Sequence, residues 1–236
     1  MSTMPQTPVG PIRDERSGAE QRASLWAGVL AAVPLAVAFA GFGVAFGSLA
    51  RTAGIGPVAA VVLSATAFAG SAQFAAVSVL GAGGSVAAAV AAAVLLNARY
   101  GPIGLSVAPV LGGPWWRRLV VGQLVVDESW AIANRGNGSF DRARLIGAGA
   151  VLYLAWVTST AVGALGASVL ADPRALGLDA AFPALFLALL WPQLRERRAA
   201  AVAALGAGIA LVTLSFAPPG VPIVAAAAAC LLGVRR

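Results

Sequence analysis

Apolar positions run along this chain in long blocks, with polar residues gathered between them. Eight blocks can be marked: 25–50, 57–80, 84–111, 118–134, 145–170, 180–194, 199–216 and 221–234. A membrane-crossing helix needs about 17–25 apolar residues, so most blocks qualify. The sixth and eighth are short and read as half-helices or parts of broken spans. If the last two blocks form one unit around Pro218, Pro219 and Pro222, the count falls from eight to seven. The expected fold is all-α: a polytopic integral membrane protein with seven or eight transmembrane helices, several of them broken. Residues 1–23 are polar and read as a short cytoplasmic tail, with 24–236 the transmembrane domain. A signal peptide over Leu25–Val37 is the weaker alternative. The residues before it carry three acids, and the apolar run continues to Ala50.

Breaks are predicted inside several blocks. Pro34 and Gly41-Phe42-Gly43 interrupt the first, Gly70-Ser71 the second and Gly101-Pro102 the third, and Pro183 and Pro192 flank the sixth. Gly and Pro are common in membrane helices, so one interruption means little. Interruptions in most blocks point to a transporter or channel, because freed backbone groups must face protein or a wet cavity. A shift of 120 residues aligns Ser48 with Ser168, Gln73 with Gln193 and Pro102 with Pro222, a weak sign of paired three-helix units. Small residues recur every fourth position at Ala155, Ser159, Gly163 and Ala167, and again at Gly43 and Gly47. Such seams let membrane helices approach closely.

Composition narrows the class. Hydrophobic residues make up 59% of the 236, and charged residues only 11%. A soluble domain carries about 25% charged residues, so this chain could not clothe a soluble globule. There is no His, which removes histidine-based catalysis and proton relays. The single Cys, Cys230, cannot form an internal disulfide. The net charge is +7, and every basic residue is Arg. In this setting the charge reports membrane orientation and attraction to the lipid bilayer rather than nucleic acid. With eight crossings and the N-terminus inside, eleven Arg fall inside and four outside. That predicts both termini in the cytoplasm, with Arg117-Arg118 as the discordant pair.

Few polar residues lie deep in the blocks, and each is a functional candidate. Arg99 sits near the middle of the third block, within Asn97-Ala98-Arg99-Tyr100-Gly101-Pro102. Asp127 and Glu128 are the only acids deep in any block. By elimination, Arg99 pairs with one of them or binds a substrate carboxylate, for which a guanidinium fork is suited. A structural ion pair, or snorkelling to an interface, is the bland alternative. On a continuous helix Asp127 shares a stripe with Gln123 and Asn134, while Glu128 points elsewhere. One would stay ionised and the other would carry a transported proton; either assignment is open. Gly70, Ser71 and Gln73 place free backbone groups and an amide at a break, suited to a small zwitterion. Gln73 bonding to a neighbouring helix is the plain alternative. Thr158, Ser159 and Thr160 more often bond back to their own helix. Trp26, Trp115, Trp116 and Trp191 mark block ends, as interfacial Trp do, whereas Trp130 and Trp156 lie deeper.

No nucleotide-binding fingerprint, metal-ligand cluster or cofactor signature is present, so neither an enzyme nor a cofactor is expected. The ordered set Gly70-Ser71-Ala72-Gln73-Phe74, Asn97-x-Arg99, Asp127-Glu128-Ser129, Gly177-Leu178-Asp179-x-Ala181-x-Pro183 and Leu189-Leu190-Trp191-Pro192 resembles the AzlC family. These are large subunits of two-component branched-chain amino acid exporters, and the likeness covers nearly all of 25–236. The resemblance implies secondary active, proton-driven export of leucine, isoleucine, valine and related apolar amino acids across the bacterial cytoplasmic (inner) membrane. It also implies a small hydrophobic AzlD-type partner subunit. Tyr100 stands where the pattern leads one to expect His or another residue, so a histidine mechanism does not carry over. Gly70, Ser71, Gln73, Asn97 and Arg99 are the expected substrate-binding residues, and Asp127 and Glu128 the proton-coupling ones. A passive channel or facilitator, or a non-transporting membrane scaffold subunit, is the alternative.

Overall fold

The structure is a computed structural model that describes residues 17–136, 138–166, 187, 190–191, 193–218, 221–227 and 229. The expectations placed on 1–16, on the Gly177–Pro183 run, on Pro192 and on Cys230 lie outside the described residues.

The described chain is mainly helical. In order it forms α1 (Gly18–Thr52), α2 (Pro57–Ala67), α3 (Gly70–Gly81), α4 (Val86–Asn97), α5 (Tyr100–Leu111), α6 (Trp115–Gly122) and α7 (Asp127–Ala133). A two-stranded hairpin follows, β1 (Asn134–Gly136) with β2 (Ser139–Phe140), then α8 (Arg142–Gly166). A 3₁₀ turn (Gln193–Arg195), α9 (Arg197–Leu214) and α10 (Val221–Ala227) complete the described elements. Among the described residues, α1, α8 and α9 are long and apolar enough to cross a membrane. The pair α4–α5, bent by 50°, makes a fourth if taken as one span. The blocks at 57–80 and 118–134 are each divided into short helices, so the described spans are fewer than the blocks.

The helix ends explain where the breaks fall, and several differ from the sequence expectation. Residues 18–23 are helical and continue directly into the apolar part of α1. Ser17 and Glu20 form a reciprocal cap: the Ser17 N–H donates to the Glu20 carboxylate at 3.0 Å, and the Glu20 N–H to Ser17 Oγ at 3.3 Å. Pro34 and the Gly41–Gly43 cluster do not break α1, which is helical through both. The second block breaks at Phe68-Ala69, ahead of Gly70-Ser71. Phe68 adopts φ 34°, a left-handed cap unusual for a bulky residue, and its N–H donates to the Ser64 carbonyl. The third block breaks at Ala98-Arg99, ahead of Gly101-Pro102. Pro102 falls in the first turn of α5, where a missing N–H costs nothing. The fourth block breaks at Gln123–Val126, and the stripe drawn through Gln123, Asp127 and Asn134 therefore does not exist. The hairpin also departs from an all-helical fold. It pairs Asn134 with Phe140 and Gly136 with Ser139, with positive φ at Gly136 and Gly138.

The chain divides into two compact units. The first takes the residues up to Ala32 and Ile103–Ala150. Its core joins Val107 and Leu111 of α5, Val121 of α6, Ala133 of α7, Phe140 of β2 and Leu145 of α8. Here α1 and α8 meet without intervening side chains: a Cβ on Gly28 would overlap the Arg144 backbone, and one on Gly147 the Leu25 carbonyl.

The second unit takes Val33–Pro102 and the residues from Val151 onward. Its α1–α8 contact uses the seam read from the sequence. A Cβ on Gly43 would overlap Ser159, on Gly47 the Thr160 carbonyl, and on Gly163 the Val44 carbonyl. Ala75 and Val79 of α3 pack on Ala89 and Ala92 of α4, and α10 lies against α9 and α4.

Candidate functional site

In the second unit, polar side chains from α2, α3 and α8 form one buried chain. The Trp156 indole N–H donates to Gln73 Oε1 at 3.0 Å, and Gln73 Nε2 donates to Ser64 Oγ at 3.4 Å. The Ser64 and Thr160 hydroxyls lie 2.9 Å apart. Gln73 is 2% exposed, so both ends of its amide are engaged with neighbouring helices. Gly70 sits against this chain because a Cβ there would come within 3.0 Å of the Trp156 ring. Phe39, Phe46 and Phe74 surround the same indole with centroids at 5.8, 6.0 and 6.2 Å. The Tyr153 hydroxyl donates to the Ala65 carbonyl, one of the orphan acceptors at the end of α2.

Ser71 and Arg99 are brought together. An Arg99 guanidinium nitrogen donates to Ser71 Oγ at 3.0 Å, and the guanidinium lies over the Tyr100 ring at 5.3 Å. Arg99 is exposed, and it occupies the two-residue interruption between α4 and α5. Asn97 ends α4 just ahead of it. Its Oδ1 is buried and has no hydrogen-bond partner. A buried acceptor without a donor is costly, and natural structures contain few. The break thus presents an anchored cation and an unsatisfied acceptor two residues apart. Together they match a carboxylate and an ammonium group.

Asp127 and Glu128 belong to the first unit, where they open α7 as its first two residues. Both are half-buried. Their position suits them, since the N-terminus of a helix favours negative charge. Ser129 closes the break before them: Val126 N–H donates to its Oγ at 2.9 Å, and its hydroxyl donates to the Leu124 carbonyl at 2.8 Å. Arg99 lies in the second unit.

One buried acid was absent from the sequence-derived candidates. Asp141 is 2% exposed and precedes α8. Its carboxylate accepts from the Ser24 hydroxyl, the Arg135 guanidinium and the Arg144 backbone N–H. It is an N-cap that also ties α1 and the hairpin to the start of α8. An Asp directly before a long apolar run is the sequence signal for it.

Apolar helices of span length, helix breaks inside apolar blocks and a polar cluster within the helical packing define a multi-pass integral membrane protein. The chain belongs to the AzlC family: the family model described as AzlC protein matches residues 34–170, more than half of the chain. It is also similar to an uncharacterized membrane protein of Archaeoglobus fulgidus, 32% identical over 204 residues, covering 86% of this chain and 90% of that protein. No solved structure matches.

Proposed function

We propose that this chain is the transporting subunit of a secondary amino acid exporter. Its substrates are branched-chain and related apolar amino acids, it is driven by the proton gradient, and it works with a small AzlD-type membrane partner. It resides in the bacterial cytoplasmic membrane. The observation that carries the reading is the break at Ala98-Arg99. There Arg99, an exposed residue, is held by Ser71 and Tyr100, and Asn97 offers a buried acceptor. An amino acid supplies the matching pair, its carboxylate for Arg99 and its ammonium for Asn97. Family membership supports the substrate class, and broken helices are the usual place for transporter sites. Ser71 holds Arg99 directly, and Gly70 and Gln73 brace the site through the Trp156 chain. Proton coupling is assigned to Asp127 and Glu128, because a chain without His has carboxylates as its natural proton carriers.

The test is export of an amino acid panel from cells expressing the chain with and without its partner. Leucine, isoleucine and valine are expected to leave faster only with both subunits, and Arg99→Ala is expected to abolish the gain. If Asp127→Asn and Glu128→Gln both export at the native rate with coupling intact, the coupling assignment is wrong. A passive facilitator would pass the same substrates without accumulation against a gradient.

A further inference from the structure

The first unit carries an inference that does not depend on the substrate. We propose that Trp115–Ala133 does not cross the membrane but forms a re-entrant hairpin, entering and leaving at the arginine-rich end of the first unit, and that this end docks on anionic lipid headgroups.

Four contacts within the unit place the hairpin. Its entry follows α5, and Arg142 Nε donates to the Leu111 carbonyl at the end of α5 at 2.9 Å. Its first helix stays near that end, with Arg118 reaching back to the Ala108 carbonyl at 3.4 Å. Its exit is fixed by the Asp141 N–H, which donates to the Ala133 carbonyl at 2.9 Å, one residue before α8 begins. Its tip lies deeper: Gly149 of α8 makes room for the Leu124 backbone, since a Cβ there would overlap that carbonyl. Entry and exit therefore both sit at the start of α8, and the turn sits seven residues along it. At 1.5 Å per residue that is about 10 Å, a third of a hydrocarbon core of about 30 Å. The tip carries Asp127 and Glu128, and Ser129 satisfies the backbone groups that the turn frees.

The same contacts gather the charge. Ser24 of α1 bonds to Asp141, so the start of α1 lies at this end as well. Arg22, Arg117, Arg118, Arg135, Arg142 and Arg144 then share one end, against Glu20 and the buried Asp141 among the described residues there. The Arg117-Arg118 pair, discordant when all eight blocks cross, falls on the same side as Arg22 once α1 and the α4–α5 pair are the only spans between them. Trp115 and Trp116 are 74% and 51% exposed beside them, an aromatic and cationic collar suited to the headgroup layer.

The experiment uses the full chain with Cys230→Ser. Single cysteines are placed at Gln21, Trp116 and Ser139, with Thr52 at the far end of α1 as the opposite-side control. A membrane-impermeant maleimide is applied to intact cells and to inverted vesicles. Gln21, Trp116 and Ser139 are expected to label from one side, and Thr52 from the other. Labelling of Trp116→Cys and Ser139→Cys from opposite sides would overturn the hairpin. For the lipid surface, thermal unfolding is compared in nanodiscs of phosphatidylcholine alone and with a third phosphatidylglycerol. The native chain is expected to gain several degrees from the anionic lipid, and R117Q/R118Q to lose most of that gain. An equal gain in the variant, or none in the native chain, would overturn the docking.

Discussion

The break at Ala98-Arg99 in the second unit and the break at Gln123–Val126 in the first interrupt apolar blocks in the same way, yet they are finished differently. At the latter, Ser129 takes up the Val126 N–H and the Leu124 carbonyl, and Val121 and Ala133 on either side join one apolar core. At the former, Arg99 stays exposed and Asn97 keeps a buried oxygen without a donor. An interruption is therefore not in itself a binding site. What distinguishes the two is the buried Asn97 oxygen, which no hydrogen bond reaches. The closed break suits a fixed element that holds two acids at a helix start. The open one suits a ligand that completes it.

Substitutions at five positions would break or sharpen this contrast. Arg99→Ala removes a charged donor from the open break, and leucine binding should weaken by about 10- to 100-fold, the worth of a charged hydrogen bond. Arg99→Lys, which keeps the charge but not the fork, should fall between. Equilibrium binding to the solubilised complex reads both. Unchanged affinity would make the open break as structural as the closed one. Ser129→Ala strands two backbone groups, so thermal unfolding should report a loss of about 1–3 kcal/mol while leucine affinity holds. A fall in affinity to match Arg99→Ala would erase the distinction. Gln73→Leu and Trp156→Phe, combined in a double-mutant cycle on stability, should couple by about 1 kcal/mol through their shared hydrogen bond. Additive effects would detach Gln73 from the bracing role. Smallest, Asn97→Leu removes the unsatisfied acceptor and should raise stability by about 1 kcal/mol while weakening binding. Lower stability would mean that the oxygen has a partner in the membrane.

The blocks along the chain announce helices, and the small-residue seam at Ser159 and Gly163 packs as its spacing says. Arg99, Asp127 and Glu128 stand out by scarcity alone. The positions of the breaks were harder to read, because Gly and Pro are ambiguous punctuation. Pro34 is accommodated inside α1 and Pro102 in a first turn, while the real interruptions fall at Phe68-Ala69, Ala98-Arg99 and Gln123–Val126. None of those carries a glycine or proline, and each is fixed by hydrogen bonds that appear only in three dimensions. Helical phase then misplaced Asp127, since a stripe assumes a continuous helix. Two local signals lie in the sequence but were passed over by the reading of it: the Ser17–Glu20 cap, and Asp141 directly ahead of α8. The role of Asp141 as a junction needs the long-range contact with Ser24, which no local pattern carries.

The most direct measurement is radiolabelled leucine transport in proteoliposomes holding the native chain and its small partner, under an imposed proton gradient. Accumulation above equilibrium is expected. Valine and isoleucine should compete, and leucinol, which lacks the carboxylate, should not. The Asp127→Asn/Glu128→Gln variant should lose the accumulation. Equilibration without accumulation in the native complex, or competition by leucinol as strong as by valine, would contradict the proposed function.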